Sequence, residues 1–152
     1  MSSTTAIIDQ TTASERETLD LAERFVRQHD PRGLVGLRGE LGAGKTRFVR
    51  GVVRALGGDE RDVSSPTFAI VNEYNCAGRA VAHVDAYRLT GEDELETIGW
   101  EELLDRCDIL LIEWPQRIER SLERIVDRAR YDVRIDHAGE HDRRITISRI
   151  ED

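Results

Sequence analysis

The chain has 152 residues, about the size of one ordinary domain, with 22 basic against 30 acidic side chains and a formal net charge of −8. Apolar residues make up 39% and charged residues 34%, a globular rather than a disordered composition. This balance argues against direct, tight binding of nucleic acid, which needs a basic surface. The longest purely aliphatic run, Ile109-Leu110-Leu111-Ile112, is far short of the roughly 20 residues that span a bilayer. The start of the chain also lacks the basic-then-apolar pattern of a secretory signal. The expectation is therefore a cytoplasmic protein with one domain over residues 1–152, its first 13 residues poorly ordered.

Ser14-Glu15-Arg16-Glu17 has the form of a capping box, and Leu21, Ala22, Phe25 and Val26 supply a helical apolar face. Pro31 and Gly33 stop that helix. Leu34-Val35-Gly36-Leu37 reads as a short buried strand. A glycine-rich stretch follows, and then a helix with Phe48, Val49, Val52, Val53 and Leu56 on one side, ended by Gly57-Gly58. Residues 68–74 and 80–85 read as strands joined through a hairpin loop, Asn75-Cys76-Ala77-Gly78-Arg79. Residues 92–106 read as one or two short helices, and 108–113 as a buried strand ending on a carboxylate. Pro115 opens a helix with Ile118, Leu122, Ile125 and Val126 at helical spacing. Residues 131–136 and 144–150 alternate and form a closing hairpin around Ala138-Gly139. The pattern predicts an α/β fold, with helices flanking a sheet of mixed parallel and antiparallel strands.

Cys76 and Cys107 form no metal-ligand or redox spacing, and read as two ordinary thiols. Of the 22 basic residues, 21 are Arg; Lys45 is the single lysine. It lies in Gly39-Glu40-Leu41-Gly42-Ala43-Gly44-Lys45-Thr46, which fits G-x-x-x-x-G-K-[ST] at every position, between the apolar strand and the amphipathic helix where a phosphate-binding loop belongs. Glycines let the backbone N–H groups turn towards phosphate oxygens, and the helix N-terminus adds partial positive charge. The Lys45 ammonium can reach the β- and γ-phosphates, and the Thr46 hydroxyl can ligate Mg²⁺. With Lys45 the only lysine, no Asn-Lys-x-Asp guanine-selecting element can exist, which favours ATP or weak base selectivity.

Two carboxylates end strands beside this loop. Asp85 and Glu113 are candidates for holding Mg²⁺ or orienting the attacking water. The alternatives are structural: Asp85 capping the next turn, and Glu113 pairing with Arg88 or Arg117. Thr67, in Ser64-Ser65-Pro66-Thr67, is either a sensor of the γ-phosphate or Mg²⁺, or part of a plain turn. Trp114 either shields the site or simply packs. His83 shares a strand face with Asp85 by period two and reads as structural.

Taken in order, the P-loop, Ser65-Pro66-Thr67-Phe68, His83-Val84-Asp85-Ala86-Tyr87-Arg88, Glu94-Leu95-Glu96 with Ile98-Gly99, and Glu113-Trp114 resemble the bacterial TsaE family (formerly YjeE/YdiB) over residues 18–146. The resemblance implies a weak ATPase that works with TsaD and TsaB. Those partners transfer a threonylcarbamoyl group to the adenosine beside the anticodon of tRNAs reading codons that begin with A. The ATP cycle would reset or remodel the transferase complex between turnovers, with tRNA contacted only through the partners. Carried over by position, Gly39 to Thr46 hold the phosphates, Thr46 and Glu113 are the Mg²⁺-side ligands, and Asp85 is an acid of hydrolysis. Thr67 is the switch threonine and Trp114 the site-edge tryptophan. Thr18 and Arg143 lie near the nucleotide. Arg47 departs from the threonine common there. A small-molecule kinase and a nucleotide-switched interaction protein are the rival readings of the same core.

Overall fold

A computed structural model describes residues 3–40, 42–64 and 70–151. Seven strands form one sheet in the order β1-β7-β6-β2-β5-β4-β3. The strands are β1 (Ser3–Thr12), β2 (Gly33–Arg38), β3 (Val71–Cys76), β4 (Arg79–Asp85), β5 (Ile109–Glu113), β6 (Ala129–His137) and β7 (Arg143–Glu151). The central strands β6, β2, β5 and β4 run parallel, while β1/β7, β6/β7 and β3/β4 are antiparallel. This is the mixed sheet expected, and β2, which leads into the phosphate loop, sits at its centre.

Period-two alternation divides the core between the two faces. On one face, helices α1 (Glu15–His29) and α2 (Lys45–Ala55) cover Val35, Leu37, Val81, Ile109, Leu111 and Val133, with Phe25 and Phe48 fully buried between the layers. On the other, the 3₁₀ segment Glu92–Ile98, α3 (Trp100–Arg106) and α4 (Glu119–Glu123) cover Leu34, Ala82, Val84, Leu110 and Ile112. The capping box closes α1 as expected. Ser14 Oγ accepts from the Glu17 N–H at 3.2 Å, and Glu17 Oε2 accepts from the Ala13 N–H at 2.7 Å. Among the described residues no helix is long and apolar enough to cross a membrane.

Three local expectations are corrected. Residues 3–12 form an edge strand registered on β7 from Ser3↔Glu151 to Thr12↔Arg143. Only Ile8 and Thr12 on it are buried, so backbone pairing holds it and no apolar pattern advertised it. The helix expected from Pro115 to Val126 is a 3₁₀ turn, Pro115–Ile118, followed by α4, which ends at Glu123; Val126 is 76% exposed. The chain turns away there so that Arg128 Nη1 can donate to the Cys107 carbonyl at 3.2 Å. Between β3 and β4 the turn narrows to Ala77 and Gly78. Both have positive φ (53° and 89°), the mirror-image turn that matches strand twist in a two-residue hairpin. Of the expected strand over 68–74, Phe68 and Ala69 lie outside the described residues.

Candidate nucleotide site

The site gathers where the central strands end. Chain leaving β2 passes through Gly39, Glu40, Gly42, Ala43 and Gly44 and enters α2 at Lys45 and Thr46. Gly44, the N-cap, has φ of 111°, which favours glycine. At Gly39 (φ 154°) a Cβ would come within 2.5 Å of the Ile135 carbonyl oxygen, so the loop packs directly on β6. The Ala43 N–H bonds to the Glu40 carbonyl at 3.0 Å, tightening the loop. Leu41 lies outside the described residues.

A cleft of about 350 Å³ opens over the start of α2. Gly42 to Thr46 form its floor, Ser14, the N-cap of α1, and Thr18 of α1 one wall, and His141 of the β6–β7 connection with Arg143 at the start of β7 another; Glu113 also lines it. The Thr18 hydroxyl is buried and lies 2.9 Å from the Thr12 hydroxyl, so β1 and α1 fix each other beside the cleft. Arg143 Nε donates to the Ala43 carbonyl at 3.1 Å and thereby props the phosphate loop from the far hairpin. Thr18 and Arg143 are thus both brought to the loop.

Lys45 is held inside the site. Its Nζ donates to the Gly39 carbonyl at 2.8 Å, lies 3.7 Å from Glu113 Oε1, and sits 4.7 Å from the centre of the Trp114 ring. Trp114 takes a left-handed backbone (φ 60°, ψ 51°), rare for a non-glycine residue and costing about 1–2 kcal/mol. Pro115 disfavours the right-handed helical alternative before it. That backbone sets the indole over Lys45 and against Tyr87, whose ring centre is 5.0 Å away. Arg117 stacks in turn on Tyr87 at 4.9 Å.

Glu113 and Asp85 end adjacent parallel strands and are register partners. Burial raises the Glu113 carboxyl, but the His83 hydrogen bond and the charges of His83 and Lys45 outweigh it, leaving it below its ordinary value. The group is therefore a carboxylate, which only accepts, and His83 Nε2 donates to Glu113 Oε2 at 2.8 Å. Asp85 moves the other way. Burial raises it, and the nearby charge of Glu113 adds to the rise against the opposing Tyr87 N–H bond. Asp85 does cap the following 3₁₀ turn, Ala86–Arg88, by accepting from the Tyr87 N–H at 3.0 Å. The alternative partners for Glu113 are not used: Arg88 lies 3.9 Å from Asp85, and Arg117 is on Tyr87.

Most of the sequence-derived candidates therefore converge. Asp85 lies one strand beyond the cleft lining, and Thr67 lies outside the described residues. His83, read as structural, proves to hold a candidate site carboxylate. Its period-two phase with Asp85 was visible, but the pairing that sets Glu113 diagonally across from it was not. Arg50 and His141 also reach the cleft without any motif to announce them, as do Glu15 of the capping box and Arg47 just after the phosphate loop, neither of them read as a site residue.

Among the described residues no group of three or more His, Cys, Asp or Glu side chains is arranged to hold a metal ion by itself. Among the oxygen donors that line the cleft, the Thr46 hydroxyl at the start of α2 and the Glu113 carboxylate at the end of β5 belong to the elements that hold Lys45. That hard-oxygen set suits Mg²⁺, which takes one or two protein ligands and completes its shell with phosphate oxygens and water.

The family model of the threonylcarbamoyl adenosine biosynthesis protein TsaE matches residues 12–145. The chain belongs to the TsaE family. The tRNA threonylcarbamoyladenosine biosynthesis protein TsaE of Bacillus subtilis (strain 168) is 36% identical over 139 residues, covering 91% of this chain and 84% of the relative. The TsaE of Aquifex aeolicus (strain VF5) is 41% identical over 106 residues, 64% of this chain and 80% of the relative. Among solved structures, YdiB of Bacillus subtilis superposes with a TM-score of 0.69 at 28% identity, covering 98% of this chain and 87% of that one. The mixed α/β sheet is thus a TsaE-type, P-loop NTPase-like fold. The TsaE match ends at residue 145, so Arg143 falls inside it.

Proposed function

We propose that this single-domain, cytoplasmic chain is the ATP-binding and weakly ATP-hydrolysing subunit of tRNA threonylcarbamoyladenosine synthesis, acting with TsaD and TsaB. The observation that carries the reading is the convergence of Lys45, Thr46 and Glu113 on one cleft at the start of α2, in a chain of this family. The N–H groups from Gly42 to Thr46 donate to the β- and γ-phosphate oxygens, helped by the positive end of α2. Lys45 leaves the Gly39 carbonyl and Glu113 to bind phosphate, exchanging one charge-assisted set of bonds for another. Thr46 and Glu113 would hold Mg²⁺, which, when bound, neutralises charge developing on the phosphate oxygens. Asp85, raised by burial and beside Glu113, orients the attacking water or takes its proton. Thr67 senses the γ-phosphate. Thr18 and Arg143 flank the nucleoside, and Trp114 shields the site. In this reading hydrolysis resets the TsaD–TsaB transferase between turnovers on tRNAs reading codons that begin with A, and the chain contacts tRNA only through those partners.

The test is multiple-turnover threonylcarbamoyl transfer by purified TsaB–TsaD, supplied with ATP and the activated donor, with wild type or Lys45→Ala added. Sustained turnover with wild type alone is expected. Equal turnover with both, or no effect of either with cognate partners, overturns the reading.

A further inference from the structure

His83 is fully enclosed beside the site, with 0% exposure. Its ring sits on the same sheet face as Val81 and Leu111, among apolar side chains packed under α2. A leucine would fill such a place without a desolvation cost, whereas a buried imidazole needs its polar atoms bonded. Nε2 is bonded, at 2.8 Å, to Glu113 Oε2; Nδ1 has no partner among the described residues. Among the described residues, the one hydrogen bond made by its ring is thus with a residue of the cleft. It also divides the carboxylate, because Oε2 faces His83 while Oε1 faces Lys45 at 3.7 Å.

We infer that His83 is a positioning residue for Glu113. Its Nε2–H pins Oε2 and so turns Oε1 towards the Lys45 and Thr46 side of the cleft, where a nucleotide-bound Mg²⁺ would be held. The bond runs diagonally between adjacent strands, β4 and β5, so the donor is fixed by backbone pairing rather than by a loop. A glutamate side chain loses several rotatable torsions on binding, and a ligand already held by a hydrogen bond has less freedom left to lose. Outer hydrogen bonds of this kind are worth about 10- to 100-fold in metal affinity. The donor hydrogen is present in the Nε2–H tautomer and in the imidazolium alike, so the device works by geometry. The inference rests on the proposed role of Glu113 as a Mg²⁺-side ligand.

The experiment compares wild type, His83→Gln, His83→Asn, His83→Leu and Glu113→Gln in the full chain. Binding of ADP is measured by calorimetry with and without Mg²⁺, and each variant is melted thermally. The Gln amide reaches the position of Nε2, while the Asn amide stops one bond short. Expected are unchanged metal-free ADP binding in the three His83 variants, an apparent Mg²⁺ affinity about 10- to 100-fold weaker in His83→Leu and His83→Asn, and recovery of most of it in His83→Gln. Gln and Asn behaving alike overturns the inference, even if Leu fails to fold. So does a folded Leu variant with wild-type Mg²⁺ dependence, or a loss of metal-free binding that tracks the melting temperature. Glu113→Gln separates the two readings. If it leaves the Mg²⁺ dependence intact, the role of Glu113 is wrong, and the inference falls with it for that reason rather than through His83.

Discussion

Asp85 and Glu113 face each other as register partners at the ends of two parallel strands, yet their carboxyls are displaced in opposite directions. Glu113 is held low by the hydrogen bond and positive charge around it. Asp85 is raised by burial and by that very neighbour. Two acids whose environments separate them in this way are suited to different tasks, one kept ionised and one poised nearer to proton exchange.

The raised Asp85 carries a stability consequence. Its folded carboxyl binds a proton more tightly than at its ordinary value of 3.8, so its contribution to stability is full at low pH. That contribution is lost as pH rises from the ordinary value through the folded one, and stays lost at neutral pH. Asp85→Asn keeps a side-chain acceptor for the Tyr87 N–H and carries no charge. We expect it to melt at a higher temperature than wild type at neutral pH, and the difference to shrink as the pH is lowered. ATP hydrolysis should fall about 10²- to 10⁴-fold if Asp85 handles the water. Melts across that pH range and a phosphate-release assay check both.

Lys45 spends the ligand-free state bonded to Gly39 and Glu113 beneath Trp114. Lys45→Ala should remove about 1.5–3 kcal/mol of phosphate binding, a loss of about 10- to 150-fold in ATP affinity. Because the side chain is buried rather than waving in solvent, the melting temperature should also shift. Calorimetric titration with ATP, beside a thermal melt, reads the two effects separately.

Helices α1 and α2 pack closely at Gly51. A Cβ there would meet the Leu19 carbonyl oxygen at 2.7 Å and the Ala22 Cβ at 2.6 Å, so helix backbone would have to move. Gly51→Ala should cost about 1–3 kcal/mol in chemical denaturation despite the gain in helix propensity. It should also weaken nucleotide binding, since α1 carries Ser14 and Thr18 to the cleft wall.

The pairing of β1 with β7 predicts slow amide exchange across residues 3–12 at the positions bonded to β7, at rates close to those of β7 itself. A ragged terminus would exchange at once. Thr12→Val should leave the Thr18 hydroxyl without its partner at a cost of about 1 kcal/mol, readable in the same denaturation experiment.

What the sequence determined by itself is the part written contiguously. Gly39 to Thr46 are neighbours along the chain, and the strand before them and the helix after them carry their own apolar periodicities, so loop, central strand β2 and helix α2 were legible without a fold. Asp85 and Glu113 were legible as strand-ending carboxylates for the same reason. Tertiary structure decided which strands lie side by side. That pairing alone made Asp85 and Glu113 neighbours, turned His83 from core filler into the holder of Glu113, and enlisted Arg143 from 100 residues away to support the loop. It also ordered β1, whose polar residues form a strand only because β7 offers an unpaired edge. Local patterns encode which face of an element is buried. Hydrogen bonds between distant strands are made by backbone groups common to every residue, so the partners a strand chooses leave little trace in its own letters.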